Sequence, residues 1–268
     1  MENNYIILNY FQLGGAVLLI LINIILSLWL RLGLEKSLLT ASVRMVIQLL
    51  LVGYVLEWLF NLSNPWVVMA IALLMAGIAG VSAVNRTSRR FPSVYWRSLI
   101  SVLVSSFLIT NLSVAGIIRV EPWYDPQYLI PLLGMILGNT LTGISLGLDR
   151  FMDNLVKNRH HVETLLSLGA TRWEATHQEV TSAIATGMIP IINSMMVMGV
   201  VSLPGMMTGQ ILAGASPLSA VRYQIVITFA IASASALGTL GVVLLTWIAL
   251  TTPNHQLKIE IINNHRKK

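Results

Sequence analysis

Side chains able to do chemistry are few in this chain, and they gather in three places. The first is a run of thioethers and small polar groups: Asn193, Ser194, Met195, Met196 and Met198, then Met206 and Met207 beyond Pro204 and Gly205. Methionine is a flexible core filler, but its sulfur is also a soft metal ligand. Joined by amide, hydroxyl and carbonyl oxygens, it suits a site that holds an ion weakly and lets it leave. The second place is Arg44 and Gln48, four residues apart and so on one helix face, with Glu57 further along the same segment. They read either as part of a substrate path or lock, or as an arginine snorkelling to an interface and a glutamate at the opposite one. The third is Glu163, Leu165, Leu166 and Leu168 leading to Gly169, in a polar segment rich in His, Lys and Arg.

The elements that must position these groups follow from composition. Of 268 residues, 55% are apolar and 10% charged, against roughly 25% charged in an ordinary soluble domain; mean hydropathy is +0.74. So few charges cannot cover a soluble surface, which excludes soluble, disordered, fibrous and disulfide-stapled classes and leaves an all-α polytopic membrane protein. Cysteine is absent, and His160, His161, His177, His255 and His265 all fall in polar segments. An intramembrane ion site must therefore do without thiolate and imidazole. The net charge of +6 would suggest nucleic acid for a soluble chain; here basic residues belong to cytoplasmic loops, and no nucleic acid is expected. No G-x-x-x-x-G-K-[ST] phosphate loop occurs, so any ATP must be bound and hydrolysed by another chain. This chain is expected to be no enzyme and to bind no cofactor of its own.

A helix needs about 20 apolar residues to cross the bilayer. Seven stretches qualify, at about 7–30, 38–60, 66–84, 98–118, 128–148, 183–203 and 221–250, giving one permease domain over 1–268. Of 17 Lys and Arg, 15 fall on the connections 31–44, 85–97 and 149–182 and on the tail, which holds Lys258, Arg266, Lys267 and Lys268; only Arg119 and Arg222 remain for the other side. The asymmetry puts the N-terminus outside and the C-terminus in the cytoplasm. With Glu2 as its only early charge, the N-terminus reads as a first span and not as a cleaved signal. Outer connections carry turn chemistry, as in Asn61-Leu62-Ser63-Asn64-Pro65. Trp29, Trp58, Trp66, Trp96, Trp123 and Trp247 fall near span ends, as interfacial anchors do.

Within the membrane, Gly134 with Gly138 and Gly143 with Gly147 have the spacing that lets helices approach closely. Asn139 and Thr140 lie among them and could line a path between two copies. Pro204-Gly205 is expected to break span six near the outer face, with the stretch to Pro217 re-entering the membrane as a gate or forming a loop.

The segment 149–182 is the longest outside the membrane. Val162–Leu168 should form a short helix stopped at Gly169 in the left-handed conformation. Thr171 should cap a new helix, with Glu174 completing a capping box. Two short helices with an apolar tip at Leu165, Leu166 and Leu168 would project from the inner face, to dock on a partner or lie on lipid.

Glu163-Thr164-Leu165-x-x-x-Gly169 resembles the E-A-A-x-x-x-G coupling element of ABC-transporter permeases, with Thr164 and Leu165 in place of the two alanines. Arg44-x-x-x-Gln48-Leu49, Pro131-Leu132-x-Gly134-Met135-Ile136-x-Gly138-Asn139, Ser167-Leu168-Gly169-Ala170-Thr171 and Val201-Ser202-Leu203-Pro204-Gly205-Met206-Met207-x-Gly209 resemble the FetB-like permeases, linked to iron export and metal tolerance. The resemblance implies a homodimeric permease in the plasma (bacterial inner) membrane, docked on separate ATPase subunits through Glu163, Leu165, Leu166, Leu168 and Gly169, and exporting iron or another metal. Two alternatives stand beside it. One is an ABC permease for a nucleotide sugar or lipid-like molecule. The other is an ion-coupled transporter or channel, against which stands the lack of any mid-membrane Asp or Glu.

Overall fold

The computed structural model describes residues 9–62 and 64–264. Glu2, residues 7 and 8 of the first expected span, Ser63, His265, Arg266, Lys267 and Lys268 lie outside the described residues. The helices are α1 (Tyr10–Trp29), α2 (Glu35–Leu62), α3 (Pro65–Asn85), α4 (Val94–Asn111), α5 (Pro126–Lys157), α6 (Arg159–Ser167), α7 (Arg172–Val197), α8 (Gly205–Leu212) and α9 (Pro217–Leu250). α4 runs on as a π-helical turn over Leu112–Ile118. Two-residue strands β1 (Arg89–Arg90) and β2 (Asn263–Asn264) pair antiparallel. Among the described residues, six helices, α2 to α5, α7 and α9, are long and apolar enough to cross a membrane, and α1 carries a shorter apolar run over Gly14–Trp29. The fold is an all-helical membrane bundle.

Local chemistry sets the helix starts. α3, α5 and α9 each begin with proline, whose missing N–H costs nothing in the first turn. Asn64, Asp125 and Ser216 cap them through side-chain oxygens that accept from Trp66, Gln127 and Ser219 amides. α5 is the central helix, packed by α3, α4, α7 and α9. Leu133, Ile136, Ile144, Leu148, Phe151 and Met152 are fully buried along it, and its exposed positions fall on one stripe that includes Gly138, Asn139 and Leu146. α1 and α2 lie at the edge of this bundle, which α2 meets beside α5. They pack on each other, and of all α2 only Leu59 is buried.

Hydroxyls bind helix to helix where lipid-like surroundings offer no other partner. Ser98 donates to the Gly80 carbonyl at 2.9 Å, Ser101 to Gly238 at 2.7 Å and Ser145 to Ala83 at 3.0 Å. At the end of the bundle bearing α6, the Asp149 carboxylate accepts from both the amide and the hydroxyl of Ser88 at 2.7 Å. That bond fastens the α3–α4 connection to α5.

Three local expectations need correction. The segment 149–182 is not a pair of free short helices: α5 continues to Lys157 because Phe151, Met152 and Leu155 extend its buried face, and α7 runs unbroken from Arg172. Only α6 is separate. The two glycine pairs differ as well. A β-carbon on Gly143 would lie 2.9 Å from Thr239 Oγ1 and one on Gly147 2.6 Å from Thr239 Cγ2, whereas Gly138 has open space and Gly134 meets only the tip of Met75. Finally, the chain leaves α7 before Pro204. Gly199 at φ +83° makes the turn, Met198 bridges to Ser202, and Pro204 is the N-cap that begins α8.

Candidate functional site

The α6–α7 corner is built from its own sequence. Gly169 holds φ +93°, its amide donates to the Leu166 carbonyl at 3.1 Å, and the Ala170 amide donates to Leu165 at 3.0 Å. This is the double closure of a helix end that glycine permits. Two residues on, the Thr171 hydroxyl accepts from the Glu174 amide while Glu174 Oε2 accepts from the Thr171 amide at 2.8 Å, the reciprocal cap read from the sequence. Glu163 is half-exposed and accepts from Arg159 Nε at 2.7 Å. Of the three tip leucines only Leu168 stands free, at 80% exposure; Leu165 and Leu166 are half-buried. The apolar tip is therefore one side chain at the summit of a rigid turn, narrower than expected.

The path candidates separate into distinct surfaces. Arg44 and Gln48 line one open groove on α2, with Leu39, Thr40, Val43 and Ile47, and Glu57 is exposed further along that helix. Asn139 is exposed on α5, its amide nitrogen donating to the Met135 carbonyl at 2.9 Å. Thr140, its neighbour, points the other way: it is fully buried against Gly238, and its hydroxyl has no partner among the described residues. Thr140 therefore lies on the α5–α9 seam, apart from the surface of Asn139. A turn of 100° per residue separates the two. Asn193 and Ser194 are exposed near the end of α7.

None of the five candidate methionines is fully buried, though Met206 packs partly against the core. Met196 is 75% and Met195 37% exposed. Met198, Met206 and Met207 are half-buried. Met206 lines a cavity of about 430 Å³ together with Met135, Gln210, Gln127, Tyr128 and Tyr223. Met198 packs on α9, where the Thr228 hydroxyl lies 3.3 Å from its sulfur. Pro204 and Gly205, expected as a gate, form the entry to α8, which is laid against α9. Among the described residues, no cluster of three or more His, Cys, Asp or Glu could hold a metal ion.

Residues 10–250 match the family described as "Uncharacterised protein family (UPF0014)". The chain belongs to the UPF0014 family. Among its relatives, the UPF0014 membrane protein slr1647 of Synechocystis is 41% identical over 90% of this chain and 93% of its own length. The Arabidopsis thaliana protein ALUMINUM SENSITIVE 3 is 33% identical over 94% and 90%. "Probable iron export permease protein FetB" of Escherichia coli is 31% identical over 92% and 94%. No solved structure matches the chain. Relatives named as membrane proteins and six apolar helices of spanning length make this UPF0014 member an integral membrane protein.

Of two further groups beside the corner, one was not singled out by sequence and the other was read only as an interfacial anchor. Glu179 is 3% exposed on α7 and accepts from Asn158 Nδ2 at 3.2 Å, tying the α5–α6 junction to α7. It stands within the buried row Ala175, Thr176, Val180, Ala183, Gly187, and a carboxylate in a row of small residues was the available signal. Trp247 is no free interfacial anchor, unlike the exposed Trp29, Trp58, Trp66, Trp96 and Trp123. Its indole N–H donates to Thr176 at 2.8 Å, Trp173 packs on it edge-on, and the Arg172 guanidinium lies 4.7 Å above its ring.

Proposed function

We propose that this UPF0014 protein is the membrane permease subunit of an ATP-driven exporter, working as a pair of copies with separate ATPase chains, and that its cargo is iron or another metal cation. The observation that carries the reading is the α6–Gly169–α7 corner: a stiff turn presenting Leu168 at the bundle's charged end, joined directly to the long helix α7. A push on that corner reaches the membrane through one continuous helix. The 31% identity to a protein named as an iron export permease supports the cargo. In this reading all seven apolar segments span the plasma membrane, inner in a bacterium, and form one permease domain with the N-terminus outside and α6 in the cytoplasm, as the basic residues require. ATP binds only the partner. Asn139, Asn193 and Ser194 line the contact between copies, Arg44 and Gln48 flank it on α2, and Glu57 stands at the outer end. Met195, Met196, Met206 and Met207 offer soft sulfur toward the exit, with Pro204 and Gly205 as its gate.

The test is the purified complex in vesicles, assayed for ATP hydrolysis across a panel of metals and nucleotide sugars. Stimulation by a metal is expected, and Glu163→Ala or Gly169→Val should abolish it while insertion is retained. Hydrolysis still stimulated in both variants would remove the docking role. Stimulation by a nucleotide sugar alone would replace the cargo.

A further inference from the structure

Near the end of the bundle opposite α6, three uncharged polar groups converge from two helices. Gln224 on the second turn of α9 is 8% exposed. Its Nε2 donates to Thr228 Oγ1 at 3.0 Å, and its Oε1 is buried without a partner among the described residues. The Thr228 hydroxyl lies 2.8 Å from the Gln224 backbone carbonyl and 3.3 Å from Met198 Sδ. A hydroxyl has one proton, so it serves either the carbonyl, which the helix backbone also serves, or the sulfur, a weak acceptor. The strong acceptor left over is the Gln224 amide oxygen, on a side chain only 8% exposed. Such a buried orphan is costly unless a donor or a cation completes it.

Its surroundings continue the same chemistry. Tyr223, the neighbour of Gln224, lines the 430 Å³ cavity with Met135, Met206 and Gln210, and the Gln210 amide oxygen is also buried without a partner. None of the residues lining that cavity carries a charge.

We propose that Met198, Gln224 and Thr228 form a binding site for a borderline transition-metal cation such as Fe(II). Rotating the Gln224 amide about its last bond exchanges nitrogen for oxygen, which sets Oε1 where Nε2 stands, 3.0 Å from Thr228 Oγ1, itself 3.3 Å from the Met198 sulfur. One thioether and two neutral oxygens match a borderline divalent ion better than Mg²⁺ or Ca²⁺, which take oxygen alone. With no carboxylate in the set the hold is weak, as release demands. Met198 begins the turn between α7 and α8, so movement of α7 would withdraw the sulfur and open the site. The inference rests on the export reading for a metal cargo, but it concerns binding by this chain without its ATPase.

The experiment uses the full chain in nanodiscs, without ATPase. Anaerobic equilibrium dialysis measures bound Fe(II), and Co(II) absorption reports sulfur ligation. The wild type should bind one Fe(II) and show a sulfur-to-cobalt band. Met198→Leu should lose the band, and Gln224→Leu should weaken binding about tenfold or more, the scale on which ligand-shell losses act. Gln224→Glu keeps an oxygen and adds a charge, so it should bind at least as tightly as wild type; it also stands in should the leucine variant not fold. Unchanged affinity in Met198→Leu and Gln224→Leu, or loss only in Met206→Leu, would overturn the site. Binding that follows this pattern upholds it even if the complex proves to move something other than metal.

Discussion

Thr239 of α9 lies so close to Gly187 of α7 that a β-carbon on Gly187 would sit 2.5 Å from Thr239 Cγ2. The same methyl would stand 2.6 Å from a β-carbon on Gly147 of α5. One threonine thus fills the notch where three spanning helices meet; Gly187 and Gly147 face its methyl, and Gly143 faces its hydroxyl. The two sites differ in what else they touch. Gly187 also faces the Gly143 backbone carbonyl at 2.7 Å, whereas Gly147 has only the Ala183 carbonyl at 3.3 Å and a valine methyl at 3.6 Å.

Both Gly187→Ala and Gly147→Ala should therefore destabilise the bundle, by about 1–3 kcal/mol as overpacking does. Adding Thr239→Ser, which removes the methyl and keeps the hydroxyl, should restore most of the loss at Gly147. At Gly187 it should restore only part, because the backbone oxygen stays. With Thr239→Ser alone added, the unfolding midpoints of these five variants in detergent form two double-mutant cycles that share the wild type. Equal rescue at both sites would contradict this geometry.

The tail beyond α9 closes on the first turn of α7. His255 Nδ1 accepts from the Arg172 amide at 2.9 Å, satisfying one of the donors that a helix start leaves open. His255→Ala should speed hydrogen exchange across 169–176 several-fold and leave 180–190 unchanged, because only the first turn loses its partner. Equal acceleration along α7 would mean that the tail supports the whole helix.

Glu179 offers a sharper handle on coupling. Its carboxylate is the buried link between Asn158 and α7, so Glu179→Leu should loosen the start of α6 and lower metal-stimulated ATP hydrolysis in the reconstituted complex. Glu179→Gln retains an acceptor for the Asn158 amide and should keep both. Full stimulation in the leucine variant would leave the link a packing feature without mechanical consequence.

How much of this was legible in the sequence depended on distance along the chain. Gly169 and the Thr171–Glu174 cap are contacts within four residues, and both formed as their spacing dictates. Gly134/Gly138 and Gly143/Gly147 share one spacing, yet only the second pair meets Thr239, about a hundred residues away. Spacing fixes which face a residue occupies and says nothing of what arrives there. Trp247 with Thr176, Met198 with Thr228, and the burial of Glu179 are likewise tertiary facts. α8 was missed for another reason: Pro204-Gly205 reads equally as the end of one helix or the start of the next, and a chain already turned at Gly199 resolves it as a start.

The exposed face of α5 and α7 leads to the last prediction. Asn139 lies roughly 20 Å along α5 from Pro126, at 1.5 Å per residue, deep within a helix of spanning length. Its amide nitrogen is satisfied by Met135, but its oxygen has no partner among the described residues, and neither does the side chain of Asn193. Moving an amide from water to a hydrocarbon without hydrogen bonds costs about 4–8 kcal/mol, so lipid is a poor neighbour for this face. Gly138, with open space beside it, would let another helix come close. A second copy facing the first across this surface would supply both amides with partners or with a shared water path. Because the chain has no cysteine, Asn139→Cys and Asn193→Cys each carry a single thiol. In native membranes both should join copies through a short bifunctional maleimide, whereas Phe229→Cys, exposed on α9, should not. Crosslinking at Phe229 alone would place the partner on the other side of the bundle and leave Asn139 and Asn193 facing something other than a second copy.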